Sequence, residues 1–530
     1  MLEYFDKEIK ELKEYDDIYN NFIPIFYNKE FYIILDKIIN KEIEYNKILI
    51  YTDFDNDGIS SGMIITNIFD KLNIPYYWKI GNRKDGYGIH NNVLENITED
   101  YNCDILITAD CGITNKKELE YCIDKLKYKY CFVFDHHTVQ YDKISDYEKI
   151  YYINNKFQEN DDFYVCAAGL CYLVFSKYHN NIAIEVIAGF ATIGDMVELH
   201  KESINRKLVK NSLRILNNIE DVMFLKKEYN KLYLLLESTI YNFTTKHITE
   251  MDFGFGVCPM INALSRFYKE TMIKDYLYAS SVNESKAILK DMKENNENRK
   301  YLQTELEKKL LNLTIKENRV NIFIINDADK SLVGLLSSFI LNRYNVDNIV
   351  FTKYNNFYAG SARSKHCNIY NILKGFNGKY IGMGGHTYAA GLSIDNENIE
   401  ALKEYLDSIY IEKIKNSDII FDIHSDDYDI LMSDELSDLL HLLSPFGQRN
   451  KPPKFRLFNI KILDIKQVKK HKFCLLEFEE NNCFESKLIE GLFFSNYDKQ
   501  IKKNTTLEYI EGTLTFEKNI IVDNYKIQGG

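Results

Sequence analysis

Several features are scarce or missing in this sequence, and each absence narrows the class of protein. It has no apolar run of about 18 residues or more, the length that a membrane-spanning helix needs. The start, MLEYFDKEIKELKEY, lacks a basic region followed by an apolar one, which argues against export. The 10 cysteines form no C-x-x-C pair and lie mostly in or beside apolar runs. We therefore expect a cytoplasmic protein with reduced thiols and no membrane association.

An excess of basic charge is also missing. Lys and Arg total 66 against 78 Asp and Glu, a net charge of −12. This argues against non-specific coating of nucleic acid, although a local basic groove is compatible with it. The single Trp stands beside 40 Tyr and 32 Phe, a bias that coding alone can produce. The length of 530 residues suits about three or four domains, each with its own core.

The most informative stretch, KILIYTDFDNDGISS, runs from Lys47 to Ser61. It places Asp53, Asp55 and Asp57 on alternate positions after an apolar run. If the chain there is still extended, the three side chains project to one side. Carboxylates held so close repel one another unless a cation neutralises them. The stretch therefore predicts a divalent metal site.

Two other interpretations compete with that one. The pattern D-x-D-x-D-G also opens a calcium loop of the EF-hand type, but its twelfth position is Ile64 rather than Glu. A β-like run also stands where that motif needs a helix. The second alternative is a solvated acidic turn after a strand, which this stretch alone leaves open.

The pattern from Lys47 onward alternates between strands and helices. Apolar runs at KILIYT, PYYWKI, DILITA and YCFVF are separated by helical patterns at about 60–72, 91–97 and 116–126. This order predicts a parallel sheet with helices on both faces. Ligands of such sheets gather beyond the carboxyl ends of the strands. Helical patterns before Lys47 suggest a cap packed on this domain.

Polar side chains follow two more of these strands. Asp110 comes after DILITA, and His136 and His137 come after YCFVF and Asp135. Singly, each histidine is more often structural, and each aspartate a cap or a surface residue. Because the same arrangement recurs at three strand ends, we predict one site, with Asp195 closing it from the end of a helix over about 182–193. Oxygen ligands with imidazoles favour manganese or magnesium.

These segments resemble a known family. TDFDNDG, TADCG, FDHHT and TIGD, in this order, are similar to the four motifs of the DHH phosphoesterase superfamily. The resemblance is closest to its RecJ branch, single-strand-specific exonucleases that work from a 5′ end. It continues through NRKDGYG, INN, AGSARS and GGHTYAAGLS, and covers roughly residues 47–394 with specific motifs.

The resemblance implies a centre with two Mn²⁺ or Mg²⁺ ions and assigns roles to residues. The implied metal ligands are Asp53, Asp55, Asp57, Asp110, His136 and Asp195. Asp110, the expected bridge, His136 and His137 would be catalytic, with His137 near the scissile phosphate. Expected substrate-binding residues are Arg83, Arg266, Ser361, Arg363, Gly385 and His386. Surface ion pairing is the alternative for each arginine.

The second half of the chain carries weaker signals. Residues 284–311 predict a long helix that connects two lobes, and the strand VNIFIIN opens a second α/β lobe over about 320–410. We interpret MGGH, Met383–His386, as a turn whose glycines let backbone N–H groups approach a phosphate, with packing as the alternative. From about Lys415, short strands suggest a small barrel suited to single strands. Lys469, Lys470 and Phe473 would line its groove or form a solvated hairpin tip.

The predicted fold class is α/β: a parallel-sheet DHH catalytic domain joined by a long helix to a smaller α/β DHHA1 domain, followed by a β-barrel OB-type domain. The expected bounds are 1–46 for an N-terminal helical cap, 47–215 for the DHH domain, 216–318 for the helical region and connecting helix, 319–412 for the DHHA1 domain and 413–530 for the OB-like domain.

The resulting hypothesis is a metal-dependent 5′ to 3′ exonuclease on single-stranded DNA, acting in DNA repair and recombination, with a single-strand-binding protein as a further candidate partner. One alternative is a phosphodiesterase for short oligoribonucleotides or cyclic dinucleotides. Another is a non-catalytic replication scaffold of the same fold. Met260, Ser265 and Ala328-Asp329 depart from the family pattern in regions expected to face substrate.

Overall fold

The computed structural model describes residues 30–157, 164–200, 203–326, 328–354, 356–412, 419–468, 471–479, 487–493 and 501–528. Helix α1 spans Glu30–Ile39, and the rest of the predicted cap before it lies outside the described residues. The chain divides into two compact units. One includes Pro24–Val197 and Asn211–Lys415, and the other includes Glu198–Lys210 and Asn416–Gly530.

The first unit begins with the predicted parallel sheet. Its strands are β1 (Ile48–Thr52), β2 (Tyr76–Ile80), β3 (Ile105–Ala109), β4 (Tyr130–Phe134) and β5 (Ile150–Ile153), in the order β2-β1-β3-β4-β5. All neighbouring strands are parallel. The helices here are α2 (Asn56–Leu72), α3 (Asn91–Tyr101), α4 (Lys116–Asp124), α5 (Ala167–Phe175) and α6 (Ile182–Gly194).

Apolar side chains leave both faces of this sheet, as its near-continuous hydrophobic strands require. On one face, Cys131 and Val133 of β4 belong to a core with Leu94 of α3 and Leu119 of α4. Phe134, which points to the other face because side chains alternate along a strand, contacts Phe31 of α1 and Phe175 of α5. The prediction of helices on both faces is therefore confirmed.

Helices fill most of the chain between the two α/β lobes. They are α7 (Ile204–Leu216), α8 (Ile219–Glu228), α9 (Asn230–Thr239), α10 (Glu250–Asp252), α11 (Cys258–Arg266), α12 (Met272–Tyr278) and the long helix α13 (Val282–Lys308), with a π-helical turn, Phe253–Val257, before α11. Helix α13 is free of Gly and Pro, and the Ser281 side chain accepts a hydrogen bond from Glu284 N at its start. It begins two residues earlier and ends three residues earlier than predicted.

The second α/β lobe has a mixed sheet in the order β6-β7-β8-β10-β9. Its strands are β6 (Asn321–Ile324), β7 (Asn348–Lys353), β8 (Phe357–Arg363), β9 (Tyr380–His386) and β10 (Ala389–Asp395), and its helices are α14 (Val333–Tyr344), α15 (Ile369–Lys374) and α16 (Ile399–Ser408). The interpretation of MGGH as a turn is wrong. Met383–His386 pairs with β10 as part of β9, and the chain turns only at Thr387 and Tyr388.

The other unit contains a closed sheet. Its strands are β11 (Ile420–Ile423), β12 (Lys454–Val468), β13 (His471–Phe478), β14 (Leu488–Phe493), β15 (Thr506–Leu514) and β16 (Ile520–Ile527), with helices α17 (Tyr428–Leu431) and α18 (Asp434–Leu443). The order β12-β13-β14-β16-β15 returns to β12 through a β12–β15 pairing, so these five strands form a barrel. Lys469 and Lys470 lie outside the described residues.

One arginine ties the segment Glu198–Lys210 to the barrel region of the same unit. The buried guanidinium of Arg206 donates to the carbonyls of Leu443 at 2.9 Å, Ser444 at 2.6 Å and Pro445 at 3.1 Å. Leu443 is the last residue of α18, and Ser444 and Pro445 follow it, at the end where a helix leaves carbonyl groups without partners. Arg206 therefore caps α18 from a segment more than 200 residues earlier in the chain.

The predicted fold class is confirmed by the parallel sheet, the long connecting helix, the smaller α/β lobe and the barrel. Over the described part of the chain, a membrane-crossing helix of sufficient length and hydrophobicity is not found.

Candidate metal centre

The candidate centre lies at the point of the parallel sheet where the order in which the chain adds strands reverses. Chain order runs from β1 outward to β2 on one side, and then through β3 and β4 on the other. Such a switch point leaves a crevice at the carboxyl ends of the strands. Asp53 follows β1 directly and Asp110 follows β3, so both carboxylates stand at this crevice. The topology thus accounts for their convergence.

The prediction of an extended chain through Asp57 is wrong, because α2 begins at Asn56 rather than near Ser60. The Asp55 side chain caps this helix, accepting from Asp57 N at 2.9 Å and Gly58 N at 3.2 Å. Asp57 lies in the first turn, and its carboxylate accepts from Ala167 N at 2.7 Å at the start of α5. Asp53 and Asp57 are both buried, which contradicts a solvated acidic turn, and the strand in front contradicts an EF-hand.

His136 is the central side chain of the cluster. Its Nε2 lies 3.1 Å from Asp110 Oδ1 and 3.7 Å from Asp57 Oδ2, and its Nδ1 lies 3.5 Å from Asp195 Oδ2. Asp195 ends α6, as the apolar helical pattern predicted. The imidazole is buried, so these carboxylates surround it away from bulk water.

The predicted ligands form overlapping groups, each with its ligand atoms within 4.8 Å of one another. The groups are Asp53, Asp55 and Asp110; Asp57, His136 and Asp195; and Asp110, His136 and His137. Asp110 and His136 each belong to two groups. The structure therefore brings together all six residues predicted as ligands, together with His137.

The electrostatics of the cluster fit a cation. Burial raises the pKa of Asp53, Asp110 and Asp195 well above the usual carboxylate range, and nearby carboxylates raise it further. Burial and Asp55 raise the pKa of Asp57 to about 7. Oδ2 of Asp195 is buried and accepts no hydrogen bond from the described residues. Since oxygen and imidazole donors suit manganese and magnesium, the donor set fits these ions.

We expect metal to stabilise the protein more at neutral than at acidic pH. A carboxyl whose folded pKa is raised stabilises the fold fully below its usual value of 3.8, and this contribution is lost as pH rises to about 7 for Asp57. Chelator-treated protein should therefore be less stable at about pH 7.5 than at about pH 5.5, and Mn²⁺ should restore stability by binding the ionised carboxylates.

Thermal unfolding with and without Mn²⁺ checks this expectation. The melting temperature should rise by about 5 °C or more at the higher pH and by clearly less at the lower one. The Asp57→Asn variant, which keeps the shape without the charge, should show a weaker pH dependence in the metal-free state. Equal stabilisation at both pH values would contradict the account.

Sequence reasoning missed two residues that orient His137. Asp135 Oδ1 lies 2.8 Å from His137 Nδ1 and accepts from its backbone N–H at 3.0 Å. The Tyr87 hydroxyl donates to the Asp110 carbonyl at 3.0 Å and also lies 3.0 Å from His137 Nδ1. Burial lowers the pKa of His137, but the charge of Asp135, its hydrogen bond to the ring and the charge of Asp53 together outweigh burial and raise this pKa overall. Asp135 lies in the motif FDHHT and Tyr87 in NRKDGYG, and these motifs were the only sequence signal that the two residues belong to the site.

The predicted phosphate-binding arginines also converge. The Arg83 guanidinium donates to Ser265 Oγ at 3.3 Å and lies 4.5 Å from the centre of the Phe54 ring. Arg363 donates to Ser361 Oγ at 2.9 Å, and Arg266 donates to the carbonyl of Ser331. Burial and the charges of Arg83, Arg299 and Arg363 lower the pKa of Arg266 to about 9.

We refer to Arg83, Arg266, Arg299 and Arg363 as the arginine cluster. Sequence reasoning missed Arg299, which lies on α13 in a charged stretch without any local motif. Gly334 in the first turn of α14 borders the cluster, since a Cβ there would lie 3.4 Å from Arg363 Nη2. A helix N-terminus adds positive potential to the guanidinium groups. Half-buried like charges of this kind favour an anionic ligand.

Gly385 and His386 lie on β9, two strands away from Arg363. The pairing registers place Ala389 opposite both Arg363 and His386. The position of His386 is thus in line with Arg363 across the sheet, while its side chain lies outside the described residues. Substrate contact by Gly385 and His386 stays a prediction.

Two of the departures from the family pattern lie beside groups that contact the arginine cluster. Met260 is buried in α11, and Ser265 receives the hydrogen bond from Arg83. The Ala328 carbonyl accepts from Thr352 Oγ1 at 2.6 Å, and Asp329 accepts from Ser331 N at 2.8 Å. Ser265 and Asp329 therefore support the segments that present Arg83 and Arg266.

Comparison with known proteins matches three consecutive domains. Residues 47–194 match the DHH family N-terminal domain, residues 317–412 the DHHA1 domain and residues 426–528 the RecJ OB domain. The chain is 22% identical over 455 residues to the single-stranded-DNA-specific exonuclease RecJ of Bacillus subtilis, covering 82% of this chain and 55% of the relative. It is 23% identical over 428 residues to that of Thermus thermophilus, covering 78% of this chain and 59% of the relative. The chain thus spans less than two thirds of these relatives.

Solved structures show the same fold. The crystal structure of RecJ in complex with Mn²⁺ from Thermus thermophilus matches with a TM-score of 0.70 at 19% identity, covering 94% of this chain and 70% of that one. The crystal structure of exonuclease RecJ bound to manganese matches with a TM-score of 0.56 at 22% identity, covering 72% of this chain and 93% of that one. With its three matched domains in the RecJ order, this chain is a RecJ-like member of the DHH phosphoesterase superfamily.

Proposed function

We propose that this protein is a metal-dependent exonuclease that hydrolyses phosphodiester bonds of single-stranded DNA from the 5′ end. The observation that carries the proposal is the proximity of the arginine cluster to the carboxylate cluster. Burial and Asp55 raise the pKa of Asp53, and the nearby charge of Arg83 partly offsets this rise. Burial and the neighbouring guanidinium groups lower the pKa of Arg266, and the charge of Asp55 partly offsets that fall. An anion-binding pocket beside a metal-binding cluster suits a substrate held by its terminal phosphate.

The proposed ligands of two ions are the six predicted residues, with Asp110 as the bridge. Two bound Mn²⁺ or Mg²⁺ ions would activate water and stabilise the attacking and leaving oxygens of phosphodiester hydrolysis. Around them, Asp135 and Tyr87 orient His137, whose ring borders the group of Asp110 and His136. His137 would thereby donate a hydrogen bond to the scissile phosphate.

The arginine cluster explains why action at an end is proposed rather than internal cleavage. Guanidinium groups give bidentate contacts to phosphate oxygens, and a terminal phosphate offers more charge and more oxygens than an internal one. Holding that group beside the metal ligands places the first phosphodiester bonds at the carboxylates. Short products released from one end follow from this arrangement. The 5′ polarity itself rests on the family resemblance, as does the role in DNA repair and recombination.

The barrel has a surface that suits a single-stranded nucleic acid as substrate. Lys466 lies opposite Phe473 in the β12–β13 register, and the Phe473 ring is 43% exposed. A cation beside an exposed aromatic ring is the combination that single-strand-binding barrels use for backbone and base. Phosphodiesterases for dinucleotides need no such surface, so this feature favours the proposal over that alternative.

An exonuclease assay tests the proposal. Purified protein with Mn²⁺ receives DNA and RNA strands labelled at the 5′ or the 3′ end, and product sizes are followed over time. We expect a 5′-labelled DNA strand to release a short labelled product at once, whereas a 3′-labelled strand shortens progressively. Preference for RNA or dinucleotides, cleavage from the 3′ end, or no turnover would overturn it.

The proposal includes a cytoplasmic location, because the nine described cysteines are free thiols and most are buried. A single-strand-binding protein stays a candidate partner, since such a protein would cover the substrate that this enzyme meets.

A further inference from the structure

A cleft of about 500 Å³ opens between the middle of α13 and the segment that follows α11. It is lined by eight residues: Tyr268, Lys269, Thr271, Met272, Asp291, Glu294, Asn295 and Asn298. These residues belong neither to the candidate metal centre nor to the arginine cluster. The cleft is therefore a feature separate from the proposed phosphate pocket.

Two elements connect this cleft to the arginine cluster. Asn295 and Arg299 are four residues apart on α13, so they occupy one helix face a single turn apart. Tyr268 follows Arg266 by two residues just after α11 ends. The cleft lining therefore shares α13 with Arg299 and follows the end of α11, where Arg266 lies.

The lining suits an uncharged, flat ligand with polar edges. Tyr268 and Met272 provide an aromatic ring and a polarizable thioether. Asn295 is buried and held in place, donating to the Asp291 carbonyl at 2.7 Å and accepting from Lys269 Nζ at 3.0 Å. The carboxylates of Asp291 and Glu294 repel phosphate and accept hydrogen bonds from amino groups. A nucleobase has this combination of properties, and a second phosphate does not.

The Tyr268 side chain reaches from the cleft toward the arginine cluster. Lys84 Nζ lies 4.9 Å from the centre of its ring, and Lys84 does not line the cleft. Burial raises the pKa of Tyr268, with Asp329 raising it further and Arg83 opposing this. The hydroxyl end of the ring thus lies among charges that border the phosphate pocket. The same side chain lines the cleft.

We propose that this cleft binds the terminal nucleobase of the strand whose terminal phosphate the arginine cluster holds, with Tyr268 as the stacking surface. The inference rests on the proposed function and adds a site for the base to it. The base supplies affinity that the phosphate alone does not, so the enzyme distinguishes an intact terminal nucleotide from one that has lost its base.

Binding of modified strands tests this without hydrolysis. Chelator-treated protein is titrated with 5′-phosphorylated DNA that carries 2-aminopurine at its first position, and stacking on Tyr268 should quench the fluorescence. A competing strand with an abasic first residue should bind about tenfold more weakly than one with a base, because one stacked base contributes about that much to affinity. Equal affinity for the two competitors would overturn the site.

Variants complete the test. Tyr268 has a left-handed backbone with φ of +58°, so Asn is the replacement that removes the ring at the least backbone strain. Tyr268→Asn should lose both the quenching and the tenfold preference, whereas Tyr268→Phe should keep the quenching. Tyr301→Ala is the matched control, because Tyr301 lies on the same helix as Asn295, is 65% exposed and does not line the cleft.

The outcomes separate the two proposals. If Mn²⁺-loaded protein cleaves strands from the 5′ end and Tyr268→Asn retains the base preference, the cleft proposal fails while the proposed function stands. If no strand is cleaved or bound, both fail together.

Discussion

Replacing Asp110 by Asn should reduce the rate of phosphodiester hydrolysis by about 10³-fold or more while the protein stays folded. Asp110 belongs to two of the three ligand groups and lies 3.1 Å from His136, which belongs to the third, so its loss should affect both proposed ion positions. Metal ions contribute several kcal/mol to stabilising the transition state, and about 4 kcal/mol corresponds to that factor. Asn suits the backbone because residue 110 has φ of +60°, where Asn and Asp are well tolerated. Single-turnover cleavage of a labelled strand measures the rate.

Asp104→Asn is the matched control for this prediction. Asp104 precedes β3 and Asp110 follows it, so the two carboxylates stand at opposite ends of one strand. Asp104 pairs with Lys129 at 2.9 Å near the surface, where such a pair contributes about 1 kcal/mol or less. Its activity should stay close to that of the unmodified protein. Full turnover by Asp110→Asn in excess Mn²⁺ would remove the bridging role.

Replacing Arg363 by Ala should weaken the use of 5′-phosphorylated strands by about 10- to 100-fold and leave 5′-hydroxyl strands nearly unaffected. A hydrogen bond to a charged group contributes about 1.5–3 kcal/mol, which gives that range. Arg363 is held toward the cluster by Ser361 and the Ala362 carbonyl, so its fork is already oriented. The ratio of kcat/KM for the two kinds of end is the measurement.

The control for the second prediction is Arg343→Ala. Arg343 lies in the last turn of α14, at the end opposite to Gly334, which borders the arginine cluster. The loss of this arginine should leave the ratio between phosphorylated and hydroxyl ends unchanged. If Arg363→Ala also leaves the ratio unchanged, the arginine cluster does not hold the terminal phosphate.

The sequence was most informative where candidate metal ligands directly follow a predicted strand. Asp53 and Asp110 were predictable because a parallel sheet collects its carboxyl ends at one edge, and a hydrophobic run marks each strand. The start of α2 was mispredicted because Asp55 acts as its cap, a local hydrogen bond that competes with continuation of the strand. The ligands nevertheless converge, because the first turn of α2 places the Asp57 side chain at the same crevice that an extended chain would reach.

Other features had no local signal. Arg299 approaches Arg266 only through the packing of α13 against α11, which no short motif encodes. MGGH was taken for a turn because glycines favour turns, but pairing with β10 overrides this preference in a sheet. Residues brought together by tertiary packing, including Tyr268 and Asn295 in the cleft, are accessible only from the structure.

The capping of α18 by Arg206 changes how the barrel should be dissected. Excising residues 416–530 alone would remove the guanidinium donor from the carbonyls that end this helix. Deleting the same residues would remove the carbonyls that accept hydrogen bonds from the buried guanidinium of Arg206. Lost activity would then reflect destabilisation of the remaining protein as well as lost strand binding. A fragment that contains the barrel therefore has to include residues 198–210 as well. Substitution of Lys466 or Phe473 tests strand binding without removing the carbonyls that Arg206 contacts.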